Sequence, residues 1–176
     1  MGLVTAQSLI EAGSKVFGVD LSSPPKSNIL ELARDNFQFL QIDLTTDEAP
    51  RRVVQTCVEK FGERIDALLN IAGIMDNVSS IDTLTNHGWD RVIAVNLTAP
   101  VYLMREVIPY MRKQGAGSIV NVASKSGTSG AVAGVAYVSS KHGLVRTESW
   151  FMKRGIAAKL ATSGWSNQEC GLSLQR

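Results

Sequence analysis

Apolar positions along the chain switch between two periods. Short apolar runs occur at Lys15–Asp20 (KVFGVD), Phe37–Asp43 (FQFLQID), Ile65–Asn70 (IDALLN) and Ser118–Ala123 (SIVNVA). Each has the length of a buried strand and ends in polar or small residues. Between them lie longer stretches with helical spacing: 3–12, 27–34 after Pro24 and Pro25, 47–61, 88–112 and 137–154. Strands alternating with helices of this length predict parallel βαβ units with right-handed crossovers, an α/β fold with a doubly wound, Rossmann-like sheet. Ligands in such a fold bind beyond the carboxyl ends of the strands. Polar residues stand there: Asp20, Asp43, Asn70 and Ser124. There is no internal repeat, low-complexity tract or long linker.

Pro100 and Pro109 fall inside the fourth helical stretch. A proline ring clashes with the carbonyl four residues earlier, which for Pro100 is that of Asn96. The backbone around Asn96 is therefore expected to be irregular and open to a water or ligand.

At 176 residues the chain matches one domain. With 18 basic and 16 acidic residues its net charge is +2, which makes nucleic acid a poor default partner. The hydrophobic share of 44% and charged share of 19% suit a globular domain and argue against disorder. No apolar run nears the length of a membrane span, and no signal-peptide pattern opens the chain. Its two cysteines, Cys57 and Cys170, cannot build a disulfide framework or a four-ligand zinc site, so no metal is expected. A reducing cytoplasmic setting is the simplest expectation.

The sharpest chemical signal is Ser124 with Tyr137 and Lys141. Tyr137 and Lys141 are four apart on a predicted helix and share a face. An ammonium beside a phenol favours the phenolate, which suits an acid or base near neutral pH. Ser124 follows a strand and could hydrogen-bond a carbonyl. Taken alone, a Tyr–Lys pair at this spacing is far more often a surface pair. Other residues are better read structurally: His87 and His142 as surface or helix-packing groups, Met104, Met111 and Cys57 as core, Arg51–Arg52 and Arg112–Lys113 as solvated faces.

Asn70–Gly73 (NIAG), the V-N-L around Asn96, Ser124 and Tyr137–Lys141 (YVSSK) occur in one order, with 13 positions from Ser124 to Tyr137. On these residues the chain resembles the short-chain dehydrogenase/reductase family from about residue 2 to residue 164. The resemblance implies hydride transfer between a nicotinamide and a hydroxyl or carbonyl carbon of a small alcohol or ketone. Tyr137 would be the acid/base. Lys141 would tune it and hold the nicotinamide ribose. Ser124 would orient the substrate oxygen, and Asn96 would hold a proton-relaying water. The resemblance also implies cofactor contacts from Gly2, Asp20, Leu21, Asp43, Leu44, Asn70, Ala72, Gly73, Tyr137 and Lys141. A carboxylate at Asp20 would bind a ribose 2′-hydroxyl and repel a 2′-phosphate, so NAD is expected over NADP. Gly73 can equally mark only a turn, and Asn70 can brace the sheet. By resemblance the protein would be a homo-oligomer.

The chain departs from the family pattern at both ends. Gly2, 11 residues before Gly13, matches the last glycine of the family's phosphate-binding turn, and the first strand and earlier glycines have no counterpart. In the strand order 3-2-1-4-5-6 that strand is central, so its absence should leave two unpaired strand edges. After Gly155–Ile156, Lys159 stands where the family has Asn and Ser163 where it has Pro, and residues 155–176 read as a divergent tail without the C-terminal strand. The expectation is a single partial domain, shortened at both ends, whose alternative role is that of a non-catalytic remnant or dimerisation partner. An unrelated doubly wound enzyme such as a methyltransferase is a third, weaker reading.

Overall fold

The computed structural model describes residues 1–23, 35–130, 133–152 and 157–163. The helix expected at 27–34 lies outside them. Helix α1 (Gly2–Glu11) leads into β1 (Val16–Asp20), then β2 (Phe37–Gln41), α2 (Ala49–Phe61) and β3 (Ala67–Asn70). A helical rod follows as α3 (Asn86–Ile93), a π-helical turn (Ala94–Thr98) and α4 (Ala99–Gln114). Strand β4 (Ser118–Ser124), a 3-10 turn (Lys125–Gly127), α5 (Val135–Met152) and β5 (Ala157–Ser163) complete the order. Strands, helices and their alternation agree with the doubly wound α/β expectation.

All pairings are parallel, and the strands fall into two sheets, β1–β2 and β3–β4–β5. Among the described residues, β1 and β3 each present an unpaired edge, in line with the two edges expected. One expectation is corrected. Residues 157–163 are not a divergent tail but a strand, in register with the whole of β4 from Ser118↔Ala157 to Ser124↔Ser163. The alternation of small residues in AAKLATS carries too little apolar signal to announce a strand. The pairing with β4 supplies what the local sequence does not.

Pro100 has the foreseen effect. The helix widens immediately before it, and Ala99 N–H bonds the carbonyl of Ala94, five residues back. The wider turn relieves the proline ring of the carbonyl it would otherwise strike. The rod Asn86–Gln114 is long and apolar enough by length and composition to cross a membrane. Nonetheless its buried face, including Leu103, Met104, Val107, Ile108 and Met111, is packed into the protein core. There it meets Val54, Ile65 and Ile119.

Carboxamide side chains pin this rod at both ends of β3. Gln114 accepts from Ile65 N–H at 3.2 Å and donates to the Ile65 carbonyl at 2.7 Å. Inside the core, Asn121 of β4 has no exposure, accepts from Asn70 Nδ2 at 2.8 Å and points its own amide at Met104 Sδ, 3.7 Å away. Met104 therefore fills the core and shields a polar pair. Met104→Ala should lower the unfolding free energy by about 2–5 kcal/mol in chemical denaturation. A loss under about 1 kcal/mol would mean that this layer does not hold the fold.

Candidate functional site

The site grows from the loop after β3. Asn96 lies on the π-helical turn with no exposure. Its Oδ1 accepts from Ile74 N–H at 2.8 Å, and its Nδ2 donates to the Ile74 carbonyl at 2.9 Å and to Ser140 Oγ at 3.1 Å. Ser140, equally buried, donates to the Tyr137 carbonyl at 2.7 Å. A chain of hydrogen bonds thus runs from the loop through the rod to α5. It seats Gly73, where an added Cβ would lie 3.3 Å from Asn96 Oδ1 and 3.5 Å from Lys141 Nζ. A Cβ there would crowd Asn96 Oδ1 and touch the ammonium, so glycine keeps the approach widest.

Lys141 is buried, and burial pushes its ammonium below the ordinary lysine range. Nζ donates to the Val122 carbonyl of β4 at 2.9 Å and lies 5.7 Å from the Tyr137 ring centroid. Ser124 closes β4, and its Oγ accepts from Ser126 N–H at 3.2 Å, which leaves the hydroxyl proton to be donated. The turn after it abuts α5: a Cβ on Gly127 would overlap Val145 and stand 3.0 Å from the Lys141 carbonyl. The structure brings Gly73, Asn96, Tyr137 and Lys141 together around one point, with Ser124 two residues beyond Lys141's partner on β4. Among the described residues, nothing hydrogen-bonds the Tyr137 hydroxyl.

The remaining expected residues stand apart from this cluster. Asp20 ends β1 and Leu21 follows it, both exposed, and Asp20 Oδ1 accepts from Ser22 N–H at 2.9 Å. Asp43 and Leu44 follow β2. The Thr45 amide and hydroxyl, at 2.9 and 2.7 Å from Asp43 Oδ1, hold that carboxyl below its usual range. Gly2 opens α1, exposed and with open space around it. Asn70 is buried at the end of β3, while Ala72 is exposed beside Gly73.

These positions fit a nicotinamide dinucleotide. Asp20 at the end of β1 and Asp43 just past β2 are exposed carboxylates of the kind that accepts from ribose hydroxyls, the Gly73 cradle borders a buried ammonium, and among the described residues Asn70 Oδ1 is a buried acceptor with no partner. Among the described residues no group of three His, Cys, Asp or Glu side chains could hold a metal ion.

Two residues of the site escaped sequence reasoning. Ser140 sits inside the YVSSK run, and its spacing of three from Tyr137 could have signalled a bond back to that carbonyl. Asp76 accepts from Tyr137 N–H at 2.9 Å across 61 residues, and no local pattern announces a cap supplied from so far away.

Comparison with known proteins follows the same lines. A family model for short chain dehydrogenase matches residues 1–163. The short chain dehydrogenase adrF of Penicillium roqueforti is 53% identical over 168 residues, covering 93% of this chain and 64% of the relative. Asnovolin H dehydrogenase nvfC of Aspergillus novofumigatus is 55% identical over 157 residues, covering 88% of this chain and 60% of the relative. This chain therefore spans somewhat less than two thirds of the length of these curated relatives. A crystal structure of a short-chain dehydrogenase from Streptomyces avermitilis superposes with a TM-score of 0.83 at 24% identity, over 90% of this chain and 60% of that one, and so shares its fold. With a family model spanning all the elements that build the site, the chain belongs to the short-chain dehydrogenase family.

Proposed function

We propose that the chain carries the catalytic centre of an NAD-dependent oxidoreductase that interconverts a secondary alcohol and a ketone. The observation that supports this reading most is the buried Lys141 ammonium, bonded to Val122 and set against both Gly73 and the Tyr137 ring. A bound nicotinamide dinucleotide would supply or accept the hydride.

Tyr137 moves the proton: its hydroxyl protonates the oxygen as a ketone is reduced, or takes the proton as an alcohol is oxidised. Lys141 stands as a fixed positive charge beside that phenol and offsets the negative charge left on it. With Nζ bonded to Val122 and bordering Gly73, it would also hold a ribose hydroxyl of the bound cofactor. Ser124 donates its hydroxyl proton to the substrate oxygen and orients it. The interrupted helix at Asn96 offers backbone for a water that carries protons onward from Lys141. Asp20 and Leu21 would meet the adenosine ribose, Asp43 and Leu44 the adenine, and Gly2 with the first turn of α1 the phosphates. Asp20 favours NAD, because its carboxylate opposes a 2′-phosphate.

The substrate class is a small, largely apolar molecule. Residues 127–136 are rich in Gly, Ala, Ser, Thr and Val, and a relative 55% identical is named for the dehydrogenation of asnovolin H. A second reading, a chain that no longer catalyses, is favoured by one observation: the sheet divides between β1 and β3, where the dinucleotide would cross.

Two experiments separate these readings. With secondary alcohols and NAD, nicotinamide absorbance should report turnover, and Tyr137→Phe should cut it by about 100- to 10,000-fold. NADH binding measured by calorimetry should change less than about threefold, since the phenol acts on the reacting oxygen. Binding without turnover in the parent chain would favour the non-catalytic reading, and turnover surviving in Tyr137→Phe would remove the tyrosine from its role. For cofactor choice, Asp20→Ala should weaken NAD binding about tenfold and narrow its margin over NADP. An unchanged ratio would take the carboxylate out of cofactor selection.

A further inference from the structure

Helix α5 begins without a cap of its own. The residues before Val135 are Ala133 and Gly134, and neither has a side chain able to accept from the first-turn amides. Acceptors come instead from the loop after β3. Ser79 carbonyl accepts from Val135 N–H at 3.0 Å, and Asp76 Oδ2 accepts from Tyr137 N–H at 2.9 Å. Asp76 is 7% exposed, an unusual burial for a carboxylate. A helix N-terminus is the place where negative charge is best tolerated.

The loop is built around that carboxylate. Asp76 Oδ1 accepts from Val78 N–H at 3.2 Å, and the Asp76 carbonyl accepts from Ser79 Oγ at 2.8 Å and Ser79 N–H at 3.3 Å. Gly134 leaves the space: a Cβ there would overlap both carboxylate oxygens and the Ser79 amide nitrogen. Asn77 and Val78 both take the left-handed backbone, with φ of 54° and 58°. A β-branched valine is poorly suited to that region, and this one is 67% exposed, so burial of its side chain does not hold it there. What holds it is the turn closed by Asp76 and Ser79.

We propose that Asp76 is a positioning residue for Tyr137, a latch joining the cofactor-side loop to the helix that carries the acid/base. The proposal rests on the reading of Tyr137 as that group. Tyr137 is held through both its peptide groups. Asp76 takes its N–H, and Ser140, itself held by Asn96, donates to its carbonyl. The same loop is anchored at its start, where Ile74 bonds Asn96 beside Gly73. Gly73 borders Lys141, so one short segment sets the floor under the ammonium and the height of the phenol.

Two readouts test the latch. The first needs no turnover. In hydrogen exchange followed by NMR, the Tyr137 amide of the parent chain should be as protected as amides inside α5, although it lies in the first turn. Asp76→Ala should speed its exchange at least about tenfold, while Asp76→Asn, which keeps one carbonyl acceptor, should stay within about threefold of the parent. Gly134→Ala, which displaces the carboxylate without removing it, should match Asp76→Ala, and it serves if that variant fails to fold. The second readout is kinetic. Asp76→Ala should lower kcat at least about tenfold with KM for alcohol and for NAD within about threefold, and Asp76→Asn should restore most of kcat. Unchanged Tyr137 exchange in both Asp76→Ala and Gly134→Ala would overturn the latch, as would an effect confined to KM. A chain that turns over no substrate would sink the oxidoreductase reading and leave the exchange result to decide whether the latch exists.

Discussion

A buried carboxamide has two donors and an acceptor to satisfy, and Asn96 satisfies all of them with groups that build the site. Ile74 takes one donor and fills the acceptor, and Ser140 takes the other. Each bond is to a different chain element from the one carrying Asn96, so none can shift alone without leaving a buried polar group unpaired. The proximity of Gly73 to Lys141, the bond from Ser140 to Tyr137 and the path of the loop toward α5 all follow from this joint. Gln114 makes the matching pair of bonds to Ile65 at the other end of β3. The rod thereby clamps β3 before and after, and β3 delivers the loop that borders the ammonium.

The split sheet sets the opposite tendency. Three parallel strands, β3, β4 and β5, stand with the rod and α5, around the cluster of Gly73, Asn96, Tyr137 and Lys141. The two-stranded pair ends in Asp20, with Asp43 two residues past β2. Small two-stranded units hold together weakly on their own. The half of the site that would do chemistry is thus the better supported, and the half that would choose between NAD and NADP rests on the smaller sheet. This division of support is the physical ground on which the two proposed readings differ.

Much of this was legible in the chain itself. The four apolar runs became β1 to β4, and Pro100 foretold the irregular helix at Asn96 because a proline's steric demand is local and one-directional. Tyr137 and Lys141 were placed on one face by spacing alone. Strand β5 was not legible, since AAKLATS gains its identity only by pairing with β4. Asp76 was not legible either: a cap normally precedes its helix, and this one arrives from a loop 61 residues away. Local chemistry is written in local sequence, whereas long-range satisfaction of buried donors appears only once the chain has folded.

The most direct test is the stability of Asn96→Leu, which keeps the size of the side chain and removes every polar atom. The account predicts that the Ile74 peptide and Ser140 lose their partners together. Unfolding free energy by chemical denaturation should fall by about 3 kcal/mol or more. A loss within about 0.5 kcal/mol would contradict the account, because the joint at Asn96 would then hold nothing that the rest of the fold does not already hold.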